Sequence, residues 1–245
     1  MYAGVNLSNV SVYGIDTSSK SLFLKHLVLG KKKASTDIKI LENISLNINQ
    51  GEKVGFIGTN GSGKSSLLKA IAGIYPPSQG DITVKGSVNA IIEMGLGFEN
   101  ELSGRDNIKL GLIYQGGLAH LTPDLEKQII EFSELEEKID IPFKYYSSGM
   151  ISRLAFSISA FIDSDILLLD EVFAAGDVGF IEKSSNHMKK RLQNSAISII
   201  VSHSQDLILD TCTRCIWLEN GNIIADGDAE YIMKEYNLKC HSQNV

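Results

Sequence analysis

The sequence predicts an α/β fold, a mainly parallel sheet interrupted by a helical insertion. Three observations predict it. Lys53-Val54-Gly55-Phe56-Ile57 and Ile166-Leu167-Leu168-Leu169 are short, continuous apolar runs, the pattern of parallel strands buried on both faces. Helix-period segments alternate with such runs along the chain, which is the rhythm of strand–helix units. Between the two runs, Leu102 to Phe161 is mostly helical in pattern.

Taken in order, residues 5–13 alternate weakly and read as a strand. Ser18 to Lys39 sets Leu22, Phe23, Leu24, Leu27 and Val28 among lysines. It reads as a short amphipathic helix ending at Gly30 and touching a membrane surface or membrane partner. The plainer reading, a solvated insertion loop with a few packed apolar residues, is preferred. Ile38 to Ile48 alternates again, and Asn49-Gln50-Gly51 turns the chain into the Lys53 to Ile57 strand. A glycine-rich loop and a helix from Lys64 to about Ala72 come next. Tyr75 to Gly80 is a loop by its prolines and glycine, Asp81 to Lys85 a strand, and a further strand lies near Ile91. After the Ile166 to Leu169 strand, a polar helix near Phe180 to Leu192 leads to a strand at Ala196 to Val201. Asn220-Gly221 between apolar runs signals a hairpin, and an amphipathic helix from about Asp228 to Leu238 follows. There is no internal repeat.

Composition narrows the class. At 245 residues the chain buries roughly 70 % of its unfolded surface, enough for a core without disulfides. With 23 basic and 29 acidic residues the net charge is −6, which argues against a general nucleic-acid binder. The best apolar run, Leu154 to Leu169, is broken by Asp163 and Asp165, so no membrane helix is expected. The N-terminus lacks a basic region before an apolar one, so no signal peptide is expected, and a cytoplasmic protein is. Cys212, Cys215 and Cys240 read as free thiols rather than a zinc or disulfide framework.

Gly58-Thr59-Asn60-Gly61-Ser62-Gly63-Lys64-Ser65 matches the phosphate-loop pattern and sits between a strand and a helix. Glycines let backbone N–H groups wrap phosphate oxygens, and the helix N-terminus adds its positive end. Lys64 supplies charge to the β and γ phosphates, and the Ser65 hydroxyl can hold Mg²⁺. Asp170 and Glu171 end a buried strand, at the sheet edge where such folds bind ligands. Asp170 can reach Mg²⁺, and Glu171 can orient and deprotonate an attacking water. The absence of an Asn-Lys-x-Asp base-reading pattern leans to ATP over GTP. Tyr145-Tyr146-Ser147-Ser148-Gly149-Met150 opens a helical run. Alone, it is explained by a helix cap.

The order of phosphate loop, Ser147-Ser148-Gly149, Asp170-Glu171 and Val201-Ser202-His203-Ser204 resembles that of ATP-binding cassettes, the nucleotide-binding subunits of ABC transporters. Ile92 to Phe98, Glu101 to Ile108, the Tyr-Ser-Ser-Gly-Met run and Asp170 to Asp177 resemble the subgroup exporting bacterial O-antigen, capsule and teichoic acid. The likeness runs from about Leu7 to Tyr236. It implies one nucleotide-binding domain over 1–245: a P-loop NTPase core with a mainly parallel sheet, an antiparallel β subdomain and a helical subdomain at about 99–162.

By the same resemblance, Tyr13 stacks on adenine and Gly58 to Ser65 hold the phosphates. Ser65 and Asp170 hold Mg²⁺, Glu171 handles water, and His203 contacts the γ-phosphate. Ser147, Ser148 and Gly149 contact the ATP held by a second copy, and Asp177 joins the copies. Ser148 and Met150 replace the Gly and Gln of most cassettes, as the subgroup does. No glutamine follows the strand near Ile91. Glu93 is the nearest candidate, either a Mg²⁺ ligand or the start of a loop to a membrane partner, because Gln115 lies further on in a helical region.

The resemblance further implies a separate membrane permease, met around Phe98 to Gln115, and a lipid-linked polysaccharide as cargo. O-antigen is favoured over capsule or teichoic acid, at the cytoplasmic face of the inner membrane. No C-terminal sugar-binding domain is expected after Tyr236. A soluble cassette ATPase acting on nucleic acid would carry two cassettes or a coiled coil, neither of which is seen. A sensor without turnover is argued against by the Lys64, Asp170, Glu171 and His203 set.

Overall fold

The computed structural model describes residues 2–15, 37–92, 97–118, 121–170, 178–202 and 204–242. Two sheets carry the fold. The smaller is antiparallel, with β1 (Gly4–Ile15) between β2 (Asp37–Asn49) and β4 (Gln79–Lys85). The larger has the order β5-β6-β7-β3-β8-β9, with β3 (Lys53–Ile57), β5 (Val88–Ile91), β6 (Ile166–Asp170), β7 (Ile197–Val201), β8 (Arg214–Glu219) and β9 (Asn222–Asp228). Its pairings are parallel except β8 with β9. That hairpin turns on Asn220 and Gly221, both with positive φ, as the Asn-Gly pair requires.

The α-helices among the described residues are α1 (Lys64–Ile71), α2 (Gly104–Gly116), α3 (Pro123–Ser133), α4 (Ser148–Ala160), α5 (Val178–Asn194), α6 (Gln205–Thr211) and α7 (Ala229–Ser242). None among the described residues is long and apolar enough to cross a membrane.

Strand alternation divides the core. Ile166 and Leu168 face one way and pack with Val54, Phe56, Leu67, Leu68 and the inner residues of β1 and β2. Leu167 and Leu169 face the other way, against Phe156, Phe180, Met188 and Ile232. Both faces of β6 are thus buried, which is why it reads as an unbroken apolar run. A third cluster stands apart, where Ile108, Leu112, Ile129, Leu154 and Ile158 join α2, α3 and α4. Ser103, Thr122 and Ser147 cap these three helices through their hydroxyls. Arg105 spans the unit, bonding Asp140 at 2.7 Å and Glu126 at 2.8 Å.

Most boundaries agree with the expected ones to within two residues. The amphipathic reading of 18–39 divides. Residues 18–36 lie outside the described residues, and 37–39 belong to β2, where Lys39 pairs with Tyr13 and Ile38 with Gly14. The last helix runs beyond Leu238 to Ser242.

Candidate nucleotide site

The site starts from a backbone row. Phe56 of β3 pairs with Val201 of β7, and Val201 pairs with Asp170 of β6. All three strands run the same way, so their C-terminal ends share one edge. At roughly 4.8 Å per strand, Asp170 stands about 10 Å across the sheet from the end of β3. The phosphate loop leaves β3 two residues after Phe56.

The loop's shape depends on its glycines. Gly58 has φ +145°, and a Cβ there would lie 2.2 Å from the Leu218 carbonyl oxygen. Gly63, left-handed at φ +105°, is the N-cap of α1 and has no side chain to cap it. The first N–H groups of α1 thus receive no hydrogen bond from their N-cap residue and stand at the positive end of the helix. Lys64 follows at 7 % exposure, its Nζ donating to the carbonyls of Gly58 and Thr59 at 2.9 Å each. Among the described residues the Ser62 hydroxyl is buried without a partner, beside Gly58. Helix N–H groups that no N-cap side chain occupies, a buried ammonium and an unspent hydroxyl in one glycine loop fit a polyphosphate chain.

A cavity of about 540 Å³ opens over the loop. Its walls are Asn60, Gly61 and Gly63 to Ser66 from the loop and α1, Ile38 to Ile40 from β2, and Asn220 and Gly221 from the hairpin. Two backbone hydrogen bonds fasten the hairpin tip in place. Gly221 N donates to Ser62 O, and Glu42 N donates to Gly221 O, both at 2.9 Å. The wall from β2 and the hairpin was not legible as part of the site. Asn220-Gly221 marks a hairpin in the sequence, but nothing local says what its tip touches. A hollow of about 500 Å³ between α2 and α3, lined by Arg105 and Glu126, holds none of the expected site residues.

Thr59, Asn60, Gly61, Ser62, Gly63, Lys64 and Ser65 thus gather with Gly58, and Asp170 shares their sheet edge. Tyr13 lies on β1 opposite Lys39, a cavity residue, but does not itself line the cavity. Its N–H donates to Ser78 Oγ at 3.1 Å. Ser147 caps α4, accepting from Met150 N at 3.3 Å. Ser148 is exposed and Gly149 partly so. Among the described residues, Ser147, Ser148 and Gly149 make no hydrogen bond to the phosphate loop of their own chain. Glu93, Glu171, Asp177 and His203 lie outside the described residues. Gln115 sits on α2, where its Oε1 accepts from Ser159 Oγ at 3.2 Å.

Comparison with known proteins agrees with this geometry. The ABC transporter family model matches residues 41–174. The chain is 37 % identical over 218 residues to the O-antigen export system ATP-binding protein RfbB of Klebsiella pneumoniae, covering 87 % of this chain and 89 % of that one. It is 40 % identical over 194 residues to RfbE, an O-antigen export system ATP-binding protein of Yersinia enterocolitica, covering 79 % and 81 %. The teichoic acids export ATP-binding protein TagH of Listeria innocua is 36 % identical over 219 residues, covering 89 % and 65 %. Among solved structures, a dimeric ATP-binding cassette in a post-hydrolysis state with ADP and Pi superposes with TM-score 0.68 at 21 % identity, covering 92 % of this chain and 98 % of that one.

Proposed function

The chain belongs to the ABC transporter family, and we propose that it is the ATP-hydrolysing subunit of an exporter of lipid-linked surface polysaccharide, O-antigen first. The nucleotide half of this reading rests on one observation, the Phe56–Val201–Asp170 row that sets the phosphate loop and a carboxylate on the same edge. The cargo half is supported by the names of the relatives, O-antigen export before teichoic acid export.

In this mechanism the loop N–H groups and Lys64 bind the β and γ phosphates of ATP. Ser65 and Asp170 hold Mg²⁺, with Glu93 a further candidate ligand, and the ion supplies charge neutralisation on the phosphates. Glu171 orients the attacking water and takes its proton. His203 contacts the γ-phosphate, and Tyr13 stacks on the adenine. Ser147, Ser148 and Gly149 of a second copy close over the nucleotide, and Asp177 meets that copy. ATP stabilises the closed pair by binding it more tightly than the open one. The subunit is one nucleotide-binding domain over 1–245, with its helical part at about 99–162. It works at the cytoplasmic face of the inner membrane, against a separate permease, with no nucleic-acid partner.

The test is made in cells. The chromosomal copy is replaced by the Glu171→Gln form, and surface glycolipids are compared with the parent on a gel. Loss of the long polysaccharide ladder, with lipid-linked polymer accumulating inside, is expected. An unchanged ladder would overturn the O-antigen reading. Capsule or teichoic acid blocked in the same strain would then name the cargo.

A further inference from the structure

The C-terminal end of α4 is held by side chains from two distant segments. The last carbonyls of any helix lack intrahelical partners. Here Asn89 of β5, 2 % exposed, donates through Nδ2 to Ser159 O at 2.8 Å and to Ile162 O at 3.0 Å. Arg191, in the last turn of α5, donates to Ser159 O at 3.1 Å, to Ala160 O at 2.6 Å and to Ile162 O. His187, one turn earlier, meets Ala160 O at 3.0 Å through Nε2, which must carry the proton because a carbonyl only accepts. Among the described residues no carboxylate hydrogen-bonds to Arg191. Its charge is directed at the negative end of the α4 dipole.

Each element in this cluster leads to part of the site. Ser147 caps α4, and Ser148 and Gly149 are its first two residues. β5 ends two residues before Glu93. The segment after Ile162 enters β6 and ends at Asp170, and α5 follows residues 171–177. α4 has 13 residues, so it is about 20 Å long. A tilt of about 5° at the clamped end moves the other end by about 1.7 Å. A misplacement near 1 Å at a reacting centre costs on the order of 100-fold.

We infer that Arg191 is a positioning residue: by bridging the carbonyls of Ser159, Ala160 and Ile162 it fixes the tilt of α4 against the sheet, and so sets where Ser147, Ser148 and Gly149 meet the nucleotide of a second copy. The inference rests on the two-copy reading above. Removing the guanidinium leaves each carbonyl one donor, Asn89 for Ser159 and Ile162, and His187 for Ala160. The helix end stays satisfied while its angle loosens.

The test uses the full chain carrying Glu171→Gln, alone and with Arg191→Met or Arg191→Lys. A fluorescent ATP analogue measures nucleotide affinity on dilute monomer, and sedimentation with ATP measures dimerisation. For Arg191→Met the dimer is expected to weaken about tenfold, or about 1.4 kcal/mol, with analogue affinity changed less than about twofold. Arg191→Lys keeps the charge but not the fork, and an intermediate loss of about threefold is expected. Unchanged dimerisation in both variants overturns the inference. So does a parallel loss of analogue binding and dimerisation, which marks a purely structural role. If Arg191→Met does not fold, Arg191→Lys decides by the same two readouts. A Glu171→Gln parent that stays monomeric with ATP overturns the two-copy reading itself, and this inference with it, before any Arg191 variant is compared.

Discussion

Gly221→Ala tests whether the hairpin tip is part of the nucleotide site. Gly221 has φ +77°, and a methyl there would lie 2.5 Å from Ile40 O and 3.2 Å from Leu41 Cα. The left-handed conformation costs an alanine about 1 kcal/mol. The clash is with backbone, so the tip must retreat by about 0.7 Å to reach ordinary contact. The clashing atoms belong to β2, so the tip moves away from that strand and its hydrogen bond from Glu42 N, 2.9 Å, stretches to about 3.6 Å, beyond useful range. With about 1 kcal/mol for that bond, the total is about 2 kcal/mol. For a chain of this size that lowers Tm by about 4–8 °C. The matched control is Gly51→Ala, at φ +93° with no atom within 4 Å of the new methyl. It carries only the conformational cost, about 2–4 °C. Because the retreat presses the tip against the Ser62 carbonyl on its other side, ATP affinity should fall about tenfold in Gly221→Ala, about 1.4 kcal/mol, and stay level in Gly51→Ala. Calorimetry on heating and ATP titration read the two effects. Equal Tm losses in the pair, or unchanged ATP affinity in Gly221→Ala, would refute the reasoning.

Lys64→Met removes the ammonium that now sits on the Gly58 and Thr59 carbonyls. Charge-assisted bonds are worth about 1.5–3 kcal/mol each, so ATP affinity by titration calorimetry should drop by about 100-fold or more, and a loss under threefold contradicts the assignment. Burial pushes the Cys212 thiol up to about 12 and the Cys215 thiol up to about 11. A thiol reagent at pH 8 should therefore modify only Cys240 in the native protein and all three cysteines after unfolding; prompt reaction of three native thiols contradicts this. Burial lowers the His187 pKa below its usual value, aided by Arg191 and Lys190 and opposed by the Ala160 carbonyl and Asp163. The fold thus favours the neutral ring. Its contribution is full above about pH 6.5 and is lost as pH falls below that. Between pH 7.5 and 5.5 the parent should lose more Tm than His187→Gln, and equal slopes would exclude the linkage.

What was legible in the sequence follows the range of the forces involved. β3 and β6 announce themselves because both faces are buried, and the phosphate loop because its glycines are demanded by the loop's own backbone. Ser147 reads as a cap and is one, since capping is settled within three residues. β5 reads only as a strand near Ile91. Its Asn89 looks out of place until α4, some 70 residues later, supplies the carbonyls that use it. Ile38 reads as the start of an alternating strand and Lys39 also as the end of the lysine-rich stretch from Ser18, and which residues they face is set by pairing with β1, some 25 residues earlier, which leaves no local mark. The cavity walls fail for the same reason. Contact between Gly221 and Ser62 spans about two-thirds of the chain and leaves no local mark.

The hairpin is fixed at two points with different consequences. At its base, Arg214 bonds Asp226 at 2.7 Å and Glu52 at 2.9 Å, tying β8 and β9 to the turn before β3. The two partners' side chains are 33 % and 28 % exposed, so solvent screens these pairs and each is worth about 1 kcal/mol or less. At its tip, Gly221 is held by backbone hydrogen bonds to the phosphate loop on one side and β2 on the other. The base therefore affects how firmly the hairpin is attached. The tip affects where Ser62 stands and, through it, the curve of the loop around its phosphates. The phosphate-loop motif supplies the groups that line the cavity, and a glycine outside that motif is bonded to its Ser62 carbonyl.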